Sequence, residues 1–123
     1  MEDSRKAEKR VLLVVDDEPL VGRMIRRVLA SDFDWILTAT DPEGASASLE
    51  EACVTHLICD CYLGPGLPRG CDLVAGWRRD RPSIRRAVIF ATTDLSASPP
   101  PEGVDAVLHK SADADQIRKA LEL

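Results

Sequence analysis

The 123-residue sequence holds no apolar run long enough to cross a bilayer, and its first ten residues are charged rather than signal-like. A cytoplasmic protein that does not enter the membrane is therefore expected. Basic residues are not in excess. The 16 lysines and arginines face 21 acids, for a net charge of −5, which argues against direct nucleic-acid binding or a general membrane-surface role. There is no Gly-x-Gly-x-x-Gly after the first strand-like segment and no Gly-x-x-x-x-Gly-Lys-Ser/Thr anywhere, so a dinucleotide site is unsupported and a P-loop is excluded. The four cysteines, at 53, 59, 61 and 71, never adopt the C-x₂-C spacing of a zinc knuckle. In a cytoplasmic chain they read as reduced thiols and as small buried hydrophobes. Internal repeats and linkers are absent too.

What is present is an alternation of two patterns. Residues 1–10 form a charged, flexible lead-in without apolar period, and residues 11–123 read as a single domain. Val11 to Val15 is a short continuous apolar run, the mark of a strand covered on both faces. Pro19 suits a helix start, and Leu20, Val21, Met24, Ile25, Val28 and Leu29 follow at helical spacing until Ser31-Asp32. Phe33 to Thr40 reads as a strand nearer an edge. Asp41-Pro42-Glu43 caps a helix running through Leu49 to Ala52. A third strand ends at Leu57-Ile58-Cys59-Asp60, and after a loop rich in glycine and proline a helix spans Asp72 to Asp80 with Leu73, Val74 and Trp77 on one face.

Ala87 to Ala91 is the fourth apolar run, and Gly103 to Leu108 a short fifth. Between them, prolines 99, 100 and 101 remove donors and clash with a preceding turn, so a helix there is short or absent, with Leu95 and Val104 anchoring an extended segment. Ser111 or Asp113 caps a last helix carrying Ile117, Ala120 and Leu121. Six arginines between Arg69 and Arg86 read as a solvated helix face and its exit loop. Alternating strands and helices with apolar strands imply an α/β, flavodoxin-like (βα)5 fold. Its doubly wound, parallel, five-stranded sheet has the order 2-1-3-4-5.

In such a sheet, chemistry collects beyond the carboxyl ends of the strands. Strand one ends in Asp16-Asp17, strand three in Asp60, strand four in Thr92 and strand five in Lys110. Carboxylates about 5 Å apart repel by roughly 3 kcal/mol per pair at an effective dielectric near 20, so they take up protons or hold a cation. Oxygen ligands with room for water and phosphate suit Mg²⁺. A nucleophilic carboxylate, a metal, a hydroxyl and a fixed lysine charge are the parts that phosphoryl transfer requires.

These five positions, each at the end of its strand, resemble the signature of receiver domains of bacterial two-component response regulators, over about Val11 to Leu123. The resemblance implies an Mg²⁺-dependent signalling switch in a phosphorelay. A histidine kinase or histidine phosphotransfer protein would phosphorylate Asp60, and a downstream protein or effector domain would read the result. Asp17, Asp60 and the Tyr62 carbonyl would hold Mg²⁺, with Asp16 acting through water, while Thr92 and Lys110 would bind the phosphoryl oxygens. No turnover of an external substrate is implied, only transfer to the chain's own Asp60 and slow autodephosphorylation, its rate set by Tyr62 and Asp94.

The sequence departs from the family pattern at Thr93, where Ala or Gly is usual, at Val107, where the switch aromatic stands, and at Ser111, where Pro with a cis bond is usual. Its loop after Asp60 is also longer, with Gly70 about two residues late. The alternative reading is a degenerate receiver that docks partners without being phosphorylated. A carboxylate-metal phosphatase or nuclease comes third, since the Asp-x-Asp pattern after strand one is absent.

Overall fold

A computed structural model describes residues 9–92 and 100–123. Five parallel strands form one sheet in the order β2-β1-β3-β4-β5. They are β1 (Val11–Val15), β2 (Trp35–Ala39), β3 (His56–Asp60), β4 (Arg86–Ala91) and β5 (Ala106–His109). Four helices are described: α1 (Pro19–Val28), α2 (Pro42–Glu51), α3 (Gly70–Asp80) and α4 (Ala114–Ala120). The expected order and doubly wound architecture are those found. The expectation of a short or absent helix between β4 and β5, together with Thr93, Asp94 and Leu95, falls on 93–99, outside the described residues.

Strand alternation sorts the core into two layers. Leu13, Val15, Leu57, Cys59, Ala87 and Ile89 pack on one face with Ala45 and Leu49 of α2 and Val74 and Trp77 of α3. Leu12, Val14, Ile58, Val88 and Phe90 pack on the other with Ile25 of α1 and Ile117 of α4. The central strands β1 and β3 are buried along their whole length, whereas β2, at the edge, exposes Trp35. Val104 is buried in the first layer as expected of an anchor.

Local chemistry explains two of the four helix starts. Asp41 accepts from the Gly44 N–H at 2.7 Å, with Pro42 in the first turn of α2. Asp113, one of the two residues offered as the last cap, makes a reciprocal capping box with Gln116.

Three expectations need correction. Leu20 and Met24 do not join the core stripe of α1, and both are exposed, because the helix turns Ile25 and Leu29 inward instead. Helix α3 begins at Gly70 rather than Asp72. The arginines at 78 and 86 are not a solvated face. Arg78 donates to the Gly103 and Arg85 carbonyls and pairs with Asp105 at 2.6 Å. Arg86 donates to the Ala120 carbonyl and lies 3.5 Å from Asp105. These bonds tie the approach to β5 onto α3 and β4.

Candidate phosphoacceptor site

Register places the acids. β1 lies between β2 and β3, so the residues just past Val15 and those at the end of β3 emerge side by side at the carboxyl edge of the sheet. Asp60, the last residue of β3, is 5 % exposed and Asp16 is 3 % exposed, while Asp17 faces solvent. One carboxylate oxygen from each of the three lies within 4.8 Å of the others.

Lys110 follows β5, and its backbone N–H donates to the Ala91 carbonyl at 3.0 Å. From there its Nζ reaches across β4 to Asp16 Oδ2 at 3.0 Å and Asp60 Oδ2 at 3.1 Å, with Glu18 Oε1 at 3.6 Å. The contact to Asp60 is a hydrogen bond. The contact to Asp16 Oδ2 has the distance of an ion pair without hydrogen-bond alignment, which leaves that buried oxygen without a hydrogen-bond partner. The other oxygen of Asp16 accepts from the Glu18 N–H at 2.9 Å.

Electrostatics follow from this burial. Desolvation pushes the Asp16 carboxyl up, against the opposing pull of the Glu18 N–H and Lys110. Asp60 is likewise pushed up, first by burial and then by the Asp16 charge, with Lys110 and the Tyr62 N–H opposing. The lysine is also held up: burial lowers it, but the two carboxylates more than offset that. One cation among three acids leaves the site short of positive charge. That shortage, the buried Asp16 oxygen without a hydrogen bond and the all-oxygen donor set fit a hard divalent cation held by Asp16, Asp17 and Asp60.

Among the other expected site residues, Tyr62 has its N–H 3.4 Å from Asp60 Oδ1 and its side chain exposed. Thr92 lies just past β4 and is exposed, with its carbonyl hydrogen-bonded. That carbonyl accepts from His109 Nε2 at 2.8 Å, while His109 Nδ1 accepts the Ser111 N–H at 3.1 Å, which fixes the ring with its proton on Nε2. Sequence reasoning passed over His109, a residue with no motif. Val107, where a switch aromatic was noted as missing, packs half-buried in the first core layer. No peptide bond among the described residues is cis, Lys110–Ser111 included.

Gly70 carries a structural demand that its sequence position only hinted at. Its N–H donates to the Cys61 carbonyl at 2.9 Å, and a Cβ there would collide with the Asp60 carbonyl oxygen and stand 2.9 Å from Cys59 Sγ. Glycine lets α3 start directly against the end of β3. The same closeness brings Cys61 Sγ to 3.8 Å from Cys71 Sγ, a pairing the spacing did not suggest.

No family model and no curated protein matches the sequence. Solved structures do match in three dimensions. A response regulator protein from Burkholderia pseudomallei, solved with a phosphorylated aspartic acid, calcium ion and citrate, superposes with a TM-score of 0.79 at 21% identity over 91% of this chain. This chain spans 66% of that protein's length. A response regulator receiver domain from Clostridium thermocellum matches at 0.73 and 23% identity, over 92% of this chain and 91% of that one. The chemotaxis response regulator CheY4 of Vibrio cholerae matches at 0.77 and 20% identity, over 94% and 98%. The chain thus has the CheY-like fold of response-regulator receiver domains, with an acidic cluster at the carboxyl edge of its sheet.

Proposed function

We propose that this chain is a receiver domain that accepts a phosphoryl group on Asp60 and acts as a signalling switch. The observation that carries the reading is Lys110 Nζ, which lies 3.0 and 3.1 Å from carboxylates at the ends of two neighbouring strands beside a third acid. In the step, an Asp60 carboxylate oxygen attacks the phosphorus of a phosphohistidine on a histidine kinase or phosphotransfer protein. The P–N bond breaks, histidine leaves, and a mixed anhydride forms on Asp60.

Lys110 supplies fixed positive charge to the phosphoryl oxygens without needing to move, because Asp16 and Asp60 already hold it. Thr92 stands at the loop edge to offer its hydroxyl. Mg²⁺, when bound through Asp17, Asp60 and the Tyr62 carbonyl with Asp16 acting through water, would neutralise charge on the acids and the phosphoryl group. The Burkholderia protein, solved with both a phosphorylated aspartic acid and a calcium ion, supports a divalent metal in such a fold. The chain turns over no external substrate; it phosphorylates itself from a donor and loses the group slowly to water, and a downstream protein or effector domain reads the change.

Incubation with acetyl phosphate and Mg²⁺ should add one phosphoryl group by intact mass, abolished by Asp60→Asn. An unchanged mass in the native protein, or a labile adduct that survives Asp60→Asn, would overturn the assignment. In the first case the fold would remain as a docking module alone.

A further inference from the structure

Among the cysteines, Cys53 is exposed and Cys59 is fully buried, while Cys61 and Cys71 are each half-buried. The last two are ten residues apart in sequence, yet their sulfurs lie 3.8 Å apart. Two rigid elements hold them there. Cys61 directly follows β3, its N–H donating to the Phe90 carbonyl at 2.8 Å, and Cys71 sits in the first turn of α3. The Gly70 N–H to Cys61 carbonyl bond closes the same loop from the backbone. A disulfide requires the sulfurs to close from 3.8 Å to about 2.05 Å.

We propose that Cys61 and Cys71 form a reversible thiol–disulfide pair that clamps the loop 62–70 against Asp60. The oxidant is a peroxide: hydrogen peroxide oxidises one thiol to a sulfenic acid, releasing one water, and the second thiol attacks that sulfur, releasing another. Two thiols are oxidised, the peroxide O–O bond is reduced, and one S–S bond forms. A dithiol such as dithiothreitol reverses it by exchange.

The clamp has a functional consequence that rests on the phosphoacceptor reading. Cys61 lies between Asp60 and Tyr62, so a bond from Cys61 to α3 restrains the backbone that supplies both the nucleophile and the Tyr62 carbonyl. Oxidised protein then accepts a phosphoryl group more slowly than reduced protein. Disulfides in reducing compartments are most often of this transient, sensing kind.

The test uses the full chain carrying Cys53→Ser, which removes the exposed competing thiol. After limiting hydrogen peroxide and alkylation, peptide mapping should show Cys61 and Cys71 joined in one cross-linked species lacking two hydrogens. Amide exchange across 62–70 should slow several-fold, and dithiothreitol should restore both. Oxidation that stops at sulfenic, sulfinic or sulfonic acid on either residue without a cross-link would overturn the pair. A cross-link that leaves exchange across 62–70 unchanged would overturn the clamp. Acetyl phosphate uptake is then compared in oxidised and reduced protein, with a several-fold slower rate expected on oxidation. Reduced protein that takes up no phosphoryl group would count against the phosphoacceptor reading, whereas mapping and exchange decide the clamp by themselves.

Discussion

Asp60 and Asp105 are both carboxylates that face cations on neighbouring elements, at opposite ends of the same parallel sheet. Around Asp105 the charges balance. Arg78 and Arg86 approach it, the Ala87 N–H donates to it at 2.9 Å, and Glu122 lies 3.6 Å from Arg86. Around Asp60 they do not: one lysine serves Asp16 and Asp60, Asp17 is close by, and an Asp16 oxygen has no hydrogen-bond partner. The first cluster is finished by folding; the second is left short of positive charge. An under-neutralised acid cluster costs stability, a cost that the proposed binding of a cation and a phosphoryl group would explain.

The comparison breaks most sharply under matched substitutions. Asp60→Asn should abolish phosphoryl uptake and, with chelator present, raise the melting temperature, because it removes one of the repelling charges. Asp105→Asn should leave uptake in place and lower the melting temperature. Mass spectrometry and thermal melts on the two variants decide it, and a shared direction of the stability change would erase the distinction.

Next comes the backbone that sets Asp60 in place. Gly70→Ala should cost about 3 kcal/mol, since α3 or the end of β3 must give way to the new Cβ. Urea titration against Gly76→Ala, where the nearest contact is an arginine side chain at 3.7 Å, provides the control.

A pH titration separates both clusters from a third buried group. Burial, assisted by Arg10 and Arg85, lowers the His56 imidazole from 6.5 to about 4. The unfolded chain therefore binds the proton more readily. His56 contributes its full stability above pH 6.5, and that contribution is lost as pH falls toward 4, on the order of 3 kcal/mol in all. Denaturant melts from pH 7 to 4 should show this loss flattened in His56→Leu.

Smaller still, Asp105→Ala should cost about 1–2 kcal/mol, because the groups it leaves behind are partly exposed and find water. For Asp16 and Asp60 the sign is opposite to that of His56. Their raised carboxyls make the folded state the better proton binder just above pH 3.8, so the metal-free site destabilises most once both are ionised. Stabilisation by added Mg²⁺ should therefore be greatest near neutrality and fade on acidification, by a few degrees in a thermal melt. Equal stabilisation of Asp17→Asn by Mg²⁺ would remove Asp17 from the ligand set.

The strand order and the residue that ends each strand were legible because buried parallel strands write themselves as apolar runs and stop at the first charge. Asp16, Asp60 and Lys110 could each be placed at a strand end from the one-dimensional pattern alone. Helical spacing was less informative: Leu20 and Met24 sit in the same apolar register as Ile25, and the 3.6-residue period does not say how wide a stripe the sheet will cover. Arginines 78 and 86 looked like solvated charge because their partners, Asp105 and the carbonyls of 85, 103 and 120, lie on other segments.

By itself, then, the sequence determined the α/β alternation, the covered central strands and the chemical identity of what stands at each strand end, since those depend on local pattern and period. Only the tertiary structure decided that one lysine spans Asp16 and Asp60, that Gly70 must lie against the Asp60 carbonyl, that His109 holds the Thr92 carbonyl and that Cys61 meets Cys71. Each of those is a contact between segments that the sheet register and the packing of α3 bring together, and no local property of either partner encodes the distance between them.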